Sequence, residues 1–592
     1  MNEAPVTGWR VRSLLVWVGA ALALAALRLP SFELWGDVRY TLGVERVTAA
    51  AGWPSWQVWT HRPLLNRVLM AGLDHLTRGP YREQQLLAWS SLMAAVAVGA
   101  LHPPLVSRIG RLAATGLCGG LLVGLVWAPP RSLMQPEWYA VVFGIAAVAV
   151  VGQRPRSRRG EWFLALLGAA LLTAAVLMKW TTIGTAAAAW TAAALLCRQQ
   201  PRRLLRLTVA TAVVLPLVLG LELLLVPQEL LWLREIPQLN PPDQPLEWCT
   251  PLAAPRVECR AQTLVLNETL TSPVLLLLPA AVLWLARAAA GPVRIAALVI
   301  PAATIAATLA TTAVQGQWFS YHVAALPVLA GGWVGWAAGS VLQQRGRPPW
   351  VSLLLMGAAT AASVALLSLP TRVRAGSGAV WEGLSAVDLA YALGLGVAAL
   401  GLLAAVLSRA PVLAGDERHP FGAFDKLRAW TGAFVVLLVM VGQVESVLPS
   451  TAYSLNTQSA NRTAANLRAQ RHREVALAAR IHARIGTTAT VVYLGFGDRG
   501  YWLGNPSRCR YAAATYLQRS GYLPAGRLEG FEQNLDCLAD PGTAYVLIQT
   551  GWVDLPNADP RVQQAIDASF DCGDPVLDEP NTLVCRRRGS PG

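Results

Sequence analysis

Charge is scarce in this chain. Only 14% of its 592 residues are charged, little more than half the share usual in soluble globular proteins. Lysine is nearly missing, with only Lys179 and Lys426 present. No Walker loop, H-E-x-x-H, C-x-x-C or G-x-S-x-G motif occurs, which argues against an ATP-driven pump and leaves no motif for a zincin or serine hydrolase. What the chain has instead is apolar sequence: 54% hydrophobic residues and a mean hydropathy of +0.42. Such a composition excludes a soluble multidomain protein and predicts a membrane protein.

Apolar runs of about 16 to 22 residues mark candidate spans. They fall near 14–29, 86–101, 112–128, 137–152, 162–178, 183–197, 207–226, 273–290, 293–313, 323–342, 350–369, 386–408 and 429–448. About thirteen transmembrane helices are therefore expected. Arg10 and Arg12 precede the first run and no small-residue cleavage site follows it, so it reads as an anchored helix with a cytoplasmic N-terminus. With that orientation the cytoplasmic segments hold the whole net charge of +15, and the remaining residues balance to zero. The excess is a positive-inside signal; no nucleic-acid partner is needed to explain it.

An odd number of spans places the C-terminus outside the cytoplasm. Cys118 and Cys197 fall within spans, whereas Cys249, Cys259, Cys509, Cys537, Cys572 and Cys585 all fall in outer segments. That distribution suits an oxidising compartment. The predicted disulfides are Cys249–Cys259 and Cys572–Cys585, although the four tail cysteines allow three connectivities.

The chain divides into a transmembrane part, 1–448, and an extracytoplasmic α/β tail, 449–592. Within the first part, outer loops run over 30–85 and 227–272. The 30–85 loop is expected to hold two interfacial helices, Asp37 to Ala51 and Pro63 to Thr77, the second striped by Leu64, Leu65, Val68, Leu69, Leu73 and Leu76. In the tail, helices are predicted at Thr463 to Ile485 and Pro560 to Phe570, and strands at Thr490 to Leu494, Tyr545 to Gln549 and near Leu583. Gly495 to Gly500 spells G-x-G-x-x-G, yet no helix pattern or downstream acid supports a dinucleotide site, so a turn is expected.

Ionisable residues gather in five segments of the outer loops. They are Asp37 and Arg39 in Glu33-Leu-Trp-Gly-Asp-Val-Arg-Tyr40, His61-Arg62 before the second interfacial helix, Glu137 after Pro136, Lys179 at the end of the fifth span, and Gln317, Tyr321 and His322 in Gln315-Gly-Gln-Trp-Phe-Ser-Tyr-His322. Singly, each has an ordinary explanation: Asp37 as a helix cap, Lys179 as a snorkelling end residue, His322 as an interfacial histidine. Together they make a one-sided mouth. A carboxylate there can take a proton from a hydroxyl nucleophile, and cations can hold the phosphate of a lipid-linked donor.

At these residues the chain resembles the GT-C-type polytopic membrane glycosyltransferases, which use polyprenyl-phosphate sugars. The resemblance rests on the first span followed by Trp35-Gly36-Asp37 with Arg39-Tyr40, the long first loop with His61-Arg62-Pro63-Leu64, the Gln315 to His322 stretch and an outer C-terminal domain. It implies a hexosyl- or pentosyltransferase with Asp37 as catalytic base. Arg39, His61, Arg62, Glu137, Lys179, Gln317, Tyr321 and His322 would bind donor phosphate or acceptor. The partners implied are membrane lipids, a polyprenyl-phosphate sugar and a glycan or lipid acceptor of the cell envelope, at the plasma membrane. No cofactor is implied; the family's paired-acid motif is missing around Asp37, which argues against divalent-metal dependence. The alternatives are a flippase for lipid-linked glycans and a non-catalytic envelope scaffold.

Overall fold

The computed structural model describes residues 6–29, 32–77, 79, 81–129, 131–155, 157–239, 268, 272–315, 319–343, 464–520 and 525–589. The predicted spans at 350–369, 386–408 and 429–448, the Cys249–Cys259 pair and Gln317 lie outside these residues.

The described chain is mostly helical, with a small sheet towards the C-terminus. Its helices are α1 (Val6–Arg28), α2 (Gly36–Ala50), α3 (Leu64–Leu76), α4 (Arg82–Ile109), α5 (Arg111–Val126), α6 (Pro136–Gly152), α7 (Arg158–Val176), α8 (Ile183–Cys197), α9 (Pro201–Leu225), α10 (Gln228–Leu239), α11 (Leu278–Ala288), α12 (Gly291–Gln315) and α13 (Ala325–Gln343). Among the described residues, five stretches are long and apolar enough to cross a membrane: Arg82–Ile109, Arg158–Val176, Trp180–Cys197, Pro201–Leu225 and Gly291–Gln315. Shorter apolar helices, Ser13–Arg28, Arg111–Val126 and Pro136–Gly152, pack among them. Every predicted span up to residue 342 coincides with a helix, because hydropathy reads the helix body directly.

Small residues set the closest helix contact. On α5, Gly116, Gly120 and Gly124 recur every fourth position, as do Gly331, Gly335 and Gly339 on α13. A Cβ at Gly120 would overlap the Gly331 carbonyl, and one at Gly116 the Gly335 carbonyl. Backbones meet directly there, as small-xxx-small faces allow in lipid.

After residue 463 come α14 (Ala464–Ile485), β1 (Val491–Leu494), α15 (Asp498–Leu503), α16 (Thr515–Arg519), α17 (Glu529–Ala539), β2 (Tyr545–Ile548), α18 (Pro560–Ser569), β3 (Phe570–Asp571), β4 (Leu577–Glu579) and β5 (Thr582–Arg587). The strand order is β1-β2-β5-β3, with β4 also on β5; β1 and β2 run parallel and the other pairs are antiparallel. Disulfides join Cys509 to Cys537 and Cys572 to Cys585.

Two expectations need correction. The segment Gly495 to Gly500 is not only a turn: it enters α15, a six-residue helix laid on α2. Its glycines serve that contact, since a Cβ at Gly497 would strike the Tyr40 ring and one at Gly43 would come within 2.5 Å of Tyr501 N. Consequently α2 is not a free interfacial helix, and Val38 to Val44 is buried throughout. On α3 the apolar stripe is also incomplete: Val68 and Leu76 are exposed, while Asn66 and Arg67 are buried beside Met70 and Leu73.

Candidate functional site

The site forms at the end of the bundle where α1 leads to α2, α5 to α6, α7 to α8, and α12 to α13. Each side chain is aimed by local structure. Pro136 stands at the first position of α6, preset for a helix start, so Glu137 falls in the first turn, where the helix dipole favours a carboxylate. Before it, Met134 is held in the left-handed region at φ 59°, a cost of about 1–2 kcal/mol for a non-glycine residue that such sites retain for positioning. Lys179 lies in an extended kink between α7 and α8 (φ −166°, ψ 139°). Thr182 ties that kink down, its Oγ1 donating to the Ala175 and Lys179 carbonyls at 2.5 Å each. His322 sits on the 3-10 turn Ser320–Val323 that opens α13.

These three meet. The Lys179 ammonium donates to Glu137 Oε1 at 2.7 Å and lies 2.9 Å from His322 Nε2. His322 Nε2 is 3.7 Å from the same carboxylate oxygen. With His322 neutral and protonated on Nδ1, its Nε2 accepts from Lys179, which leaves the third N–H of the ammonium for a ligand. Burial pushes the Lys179 pKa down from the ordinary lysine value, and Glu137 opposes that shift.

Further charge surrounds the triad. Arg131 places its guanidinium over Phe319, Trp35 and Tyr321, with its Cζ 5.3, 5.5 and 5.9 Å from the ring centroids, and Lys179 Nζ is 5.3 Å from the Tyr321 centroid. Asp37 acts electrostatically on Lys179, Arg131 and Tyr321, and Arg62 on Lys179 and Tyr321. Asp37 is half-buried in the first turn of α2; the capping position is Trp35, which makes no side-chain cap bond. The site therefore gathers three cations, Arg62, Arg131 and Lys179, near three acids, Asp37, Glu137 and Glu268, the last acting on Arg131.

Unspent hydrogen-bonding capacity concentrates here. Arg62, only 5% exposed, has no partner among the described residues for Nε and Nη1. The same holds for Arg131 Nε, Glu137 Oε2 and both amide atoms of the fully buried Gln135. Buried polar groups normally have partners, so such a concentration marks a place for water or a polar ligand.

Two predicted residues sit elsewhere. Arg39 is taken up by Glu33 at 3.5 Å and Glu83 at 3.3 Å, with its guanidinium 4.6 Å from the Trp502 ring centre. That cluster lies under α15, where Tyr501 Oη also approaches Glu83 at 3.4 Å. Glu33 there has its pKa pushed up to about 7, by burial first and by Glu83 next. His61 packs between Tyr40 and Trp232, with ring centres 5.5 and 6.0 Å away.

A second acid pair ties down the start of α3, two residues after Arg62. Glu222 Oε1 and Glu229 Oε1 both accept from Leu64 N, at 2.6 and 3.0 Å, and Arg67 Nη2 reaches Glu229 Oε1 at 2.9 Å. Burial and the neighbouring Glu222 raise the Glu229 pKa to about 8.

Arg131 was not among the residues read from the sequence. The available signal was the one that distinguished Lys179: a basic residue in a short loop at the sparsely charged end of the spans. Among the described residues no group of three His, Cys, Asp or Glu side chains could hold a metal ion.

An apolar crevice of about 370 Å³ lies between α4, α5, α6, α8, α12 and α13. Val141, one turn from Glu137, and Ala325, just after His322, stand at one end; Arg108, Arg198 and Gln199 stand at the other.

No protein-family model matches the chain. No curated protein matches it either. Among solved structures it is similar in outline to ArnT from Cupriavidus metallidurans in the apo state, with a TM-score of 0.47 and 15% identity over 98% of each chain. It is also similar to the arabinosyltransferase EmbB from Mycobacterium smegmatis, with a TM-score of 0.42 and 16% identity over 80% of this chain and 44% of that one. For the archaeal oligosaccharyltransferase AglB from Archaeoglobus fulgidus the TM-score is 0.37, with 12% identity over 95% and 72% of the two chains. All three scores fall below 0.5, so the functional reading rests on the site's own chemistry.

Proposed function

We propose that this chain is a GT-C-type membrane glycosyltransferase. It moves a sugar from a polyprenyl-phosphate donor to a hydroxyl of a cell-envelope glycan or lipid on the outer face of the membrane. The observation that carries this reading is the convergence of Arg62, Arg131 and Lys179 beside Asp37, with buried donors left unspent. A phosphate is the ligand such a site suits: its oxygens accept from guanidinium and ammonium groups, and Arg62 and Arg131 keep buried donors without a partner among the described residues.

In this reading Lys179 and Arg62 bind the donor phosphate and stabilise the charge that grows on it as the glycosidic bond breaks. Glu137 and His322 hold the ammonium in place. Asp37, half-exposed, takes the proton from the acceptor hydroxyl as its oxygen attacks the anomeric carbon. The new C–O bond forms as the bond to the phosphate oxygen breaks, and prenyl phosphate leaves with the electron pair. The crevice that begins at Val141 and Ala325 supports the same reading, since it offers apolar volume to a lipid chain attached at the phosphate.

The test is transfer of labelled sugar from a polyprenyl-phosphate donor in proteoliposomes. Asp37→Asn keeps the shape and removes the base, so transfer is expected to fall about 10²- to 10⁴-fold. Full transfer by Asp37→Asn overturns the assignment of the base. Substrate-dependent lipid movement without transfer in the wild type would favour the flippase.

A further inference from the structure

Resting on the glycosyl-transfer reading, we infer that Phe496 and Trp552 form a stacking shelf for a sugar ring of the acceptor glycan, immediately beside Asp37. Several tail aromatics suit sugar stacking by type, and the fold separates them. Tyr501, Tyr511 and Tyr516 are buried, and Trp502 lies under Arg39. Trp552 is different: it is 49% exposed.

The shelf is placed by the sheet. Strands β1 and β2 are parallel, with Leu494 in register with Ile548, so the segments leaving them emerge at the same edge. Phe496 follows β1 and Trp552 follows β2, with their ring centres 4.9 Å apart. Ligands of open α/β sheets gather at this carboxyl edge because neighbouring loops diverge there and leave a crevice.

That edge is turned towards the mouth. A Cβ added at Gly36 would meet Phe496 Cε1 at 3.4 Å, and the next residue is Asp37. The aromatic row continues from Phe496 to Tyr40 at 5.7 Å and from Tyr40 to His61 at 5.5 Å, ending next to Arg62. A glycan lying on Trp552 and Phe496 therefore leads its terminal hydroxyl to the base.

The edges of the shelf suit a sugar. Gln549 Oε1 accepts from Phe496 N at 3.0 Å, and Gln518 Oε1 accepts from Trp552 Nε1 at 2.7 Å. Both amides keep NH₂ donors for hydroxyl groups. A sugar ring presents an apolar C–H face and an equatorial rim of hydroxyls, which matches rings flanked by amides.

The test uses saturation-transfer NMR on the purified full chain in detergent. The probe is the neutral oligosaccharide fraction released by mild acid from the envelope of the source cells. The wild type should saturate ring protons of one or more of these sugars, and Trp552→Ala should weaken that binding at least about tenfold, or about 1.4 kcal/mol. Trp552→Phe should restore it to within about threefold, because stacking rather than the indole N–H carries the affinity. Asp37→Asn should bind as the wild type does while failing to transfer sugar. Equal binding by wild type and Trp552→Ala overturns the shelf, and so does the lack of any binding by the wild type. Transfer retained by Asp37→Asn would instead overturn the proposed base and leave the shelf standing. Thermal unfolding at the wild-type temperature confirms that Trp552→Ala is folded.

Discussion

Two buried charge clusters lie at the same end of the bundle, and they differ in what is left over. Around Arg39, one guanidinium is shared by Glu33 and Glu83 and covered by Trp502. Arg471 also acts on Glu33, yet burial and Glu83 still lift the Glu33 pKa to about 7. Around Lys179 the pairing is different. Lys179 is held by Glu137, whereas Arg62 and Arg131 make no ion pair among the described residues and keep buried donors without a partner there, although Asp37 and Glu268 act on Arg131. A cation in contact with two acids holds structure together, whereas cations without an ion pair and with buried unpartnered donors are suited to an anion. Both follow from one rule, that a buried charge must be compensated; in the proposed reading the donor phosphate supplies that compensation in the second case.

The sharpest way to break this contrast is at Asp37, where Asn substitution should remove about 10²- to 10⁴-fold of sugar transfer and leave the unfolding temperature unchanged. Next comes a matched pair of substitutions. Arg39→Met leaves Glu33 and Glu83 buried without their cation, a loss of about 3–5 kcal/mol in stability, with the KM for donor unaltered in the protein that remains folded. Arg62→Met removes a cation that Nε and Nη1 bonds do not hold to the protein, so stability should change little while the KM for donor rises about tenfold or more. Equal destabilisation by the two substitutions, read by thermal unfolding in one detergent, would abolish the distinction.

Gly43→Val is a smaller perturbation. Its side chain would press on Tyr501 N and the Gly497 carbonyl and should cost about 1–3 kcal/mol by overpacking. Proteolysis is expected to cut the tail earlier than in the wild type, while Asp37 and Lys179 stay intact. Unchanged protection would show that α15 does not depend on its contact with α2.

The smallest effect is in pH. Glu33 binds its proton more tightly in the folded chain than in the unfolded one, so between about pH 4.5 and 7 the native state carries more protons and stability falls as pH rises. Asp498, pushed up to about 7 chiefly by burial, acts in the same direction. Glu33→Gln should flatten part of that slope in unfolding temperature measured from pH 5 to 8, and should stabilise the chain above pH 7. An unaltered slope would show that Glu33 does not contribute to it.

Legibility in the sequence followed range. Hydropathy located α1, α4 to α9 and α11 to α13, because each helix signals itself within its own run of residues; α10 was missed, since Gln228–Leu239 falls in the stretch read as the outer loop 227–272. The strands β1, β2 and β5 and the helices α14 and α18 were visible for the same reason. Cysteine spacing suggested Cys572–Cys585, thirteen residues apart. Short pieces were harder: α15 and α16, with six and five residues, are too short to show a period, and β3 and β4 have two and three; α17, at eleven residues, was missed although it is as long as α18. The glycine rows of α5 and α13 were a readable signal in hindsight, since both repeat every fourth position in an apolar helix. Arg39 was misplaced because its neighbours in sequence pointed to the mouth, while its partner Glu83 is 44 residues away.

By itself the sequence determined the membrane class, the course of the long apolar helices and the loops in which chemistry-bearing residues stand, since all of these are local properties of composition and periodicity. Tertiary structure alone decided which of those residues meet. Lys179 joins Glu137 across 42 positions and His322 across 143; Arg131 enters the same cluster, and Arg39 leaves it for Glu83. The tail reaches Asp37 because glycines at 43 and 497 let α15 lie against α2. Such contacts depend on helix packing and on the compensation of buried charge, and neither is written in any single stretch of the chain.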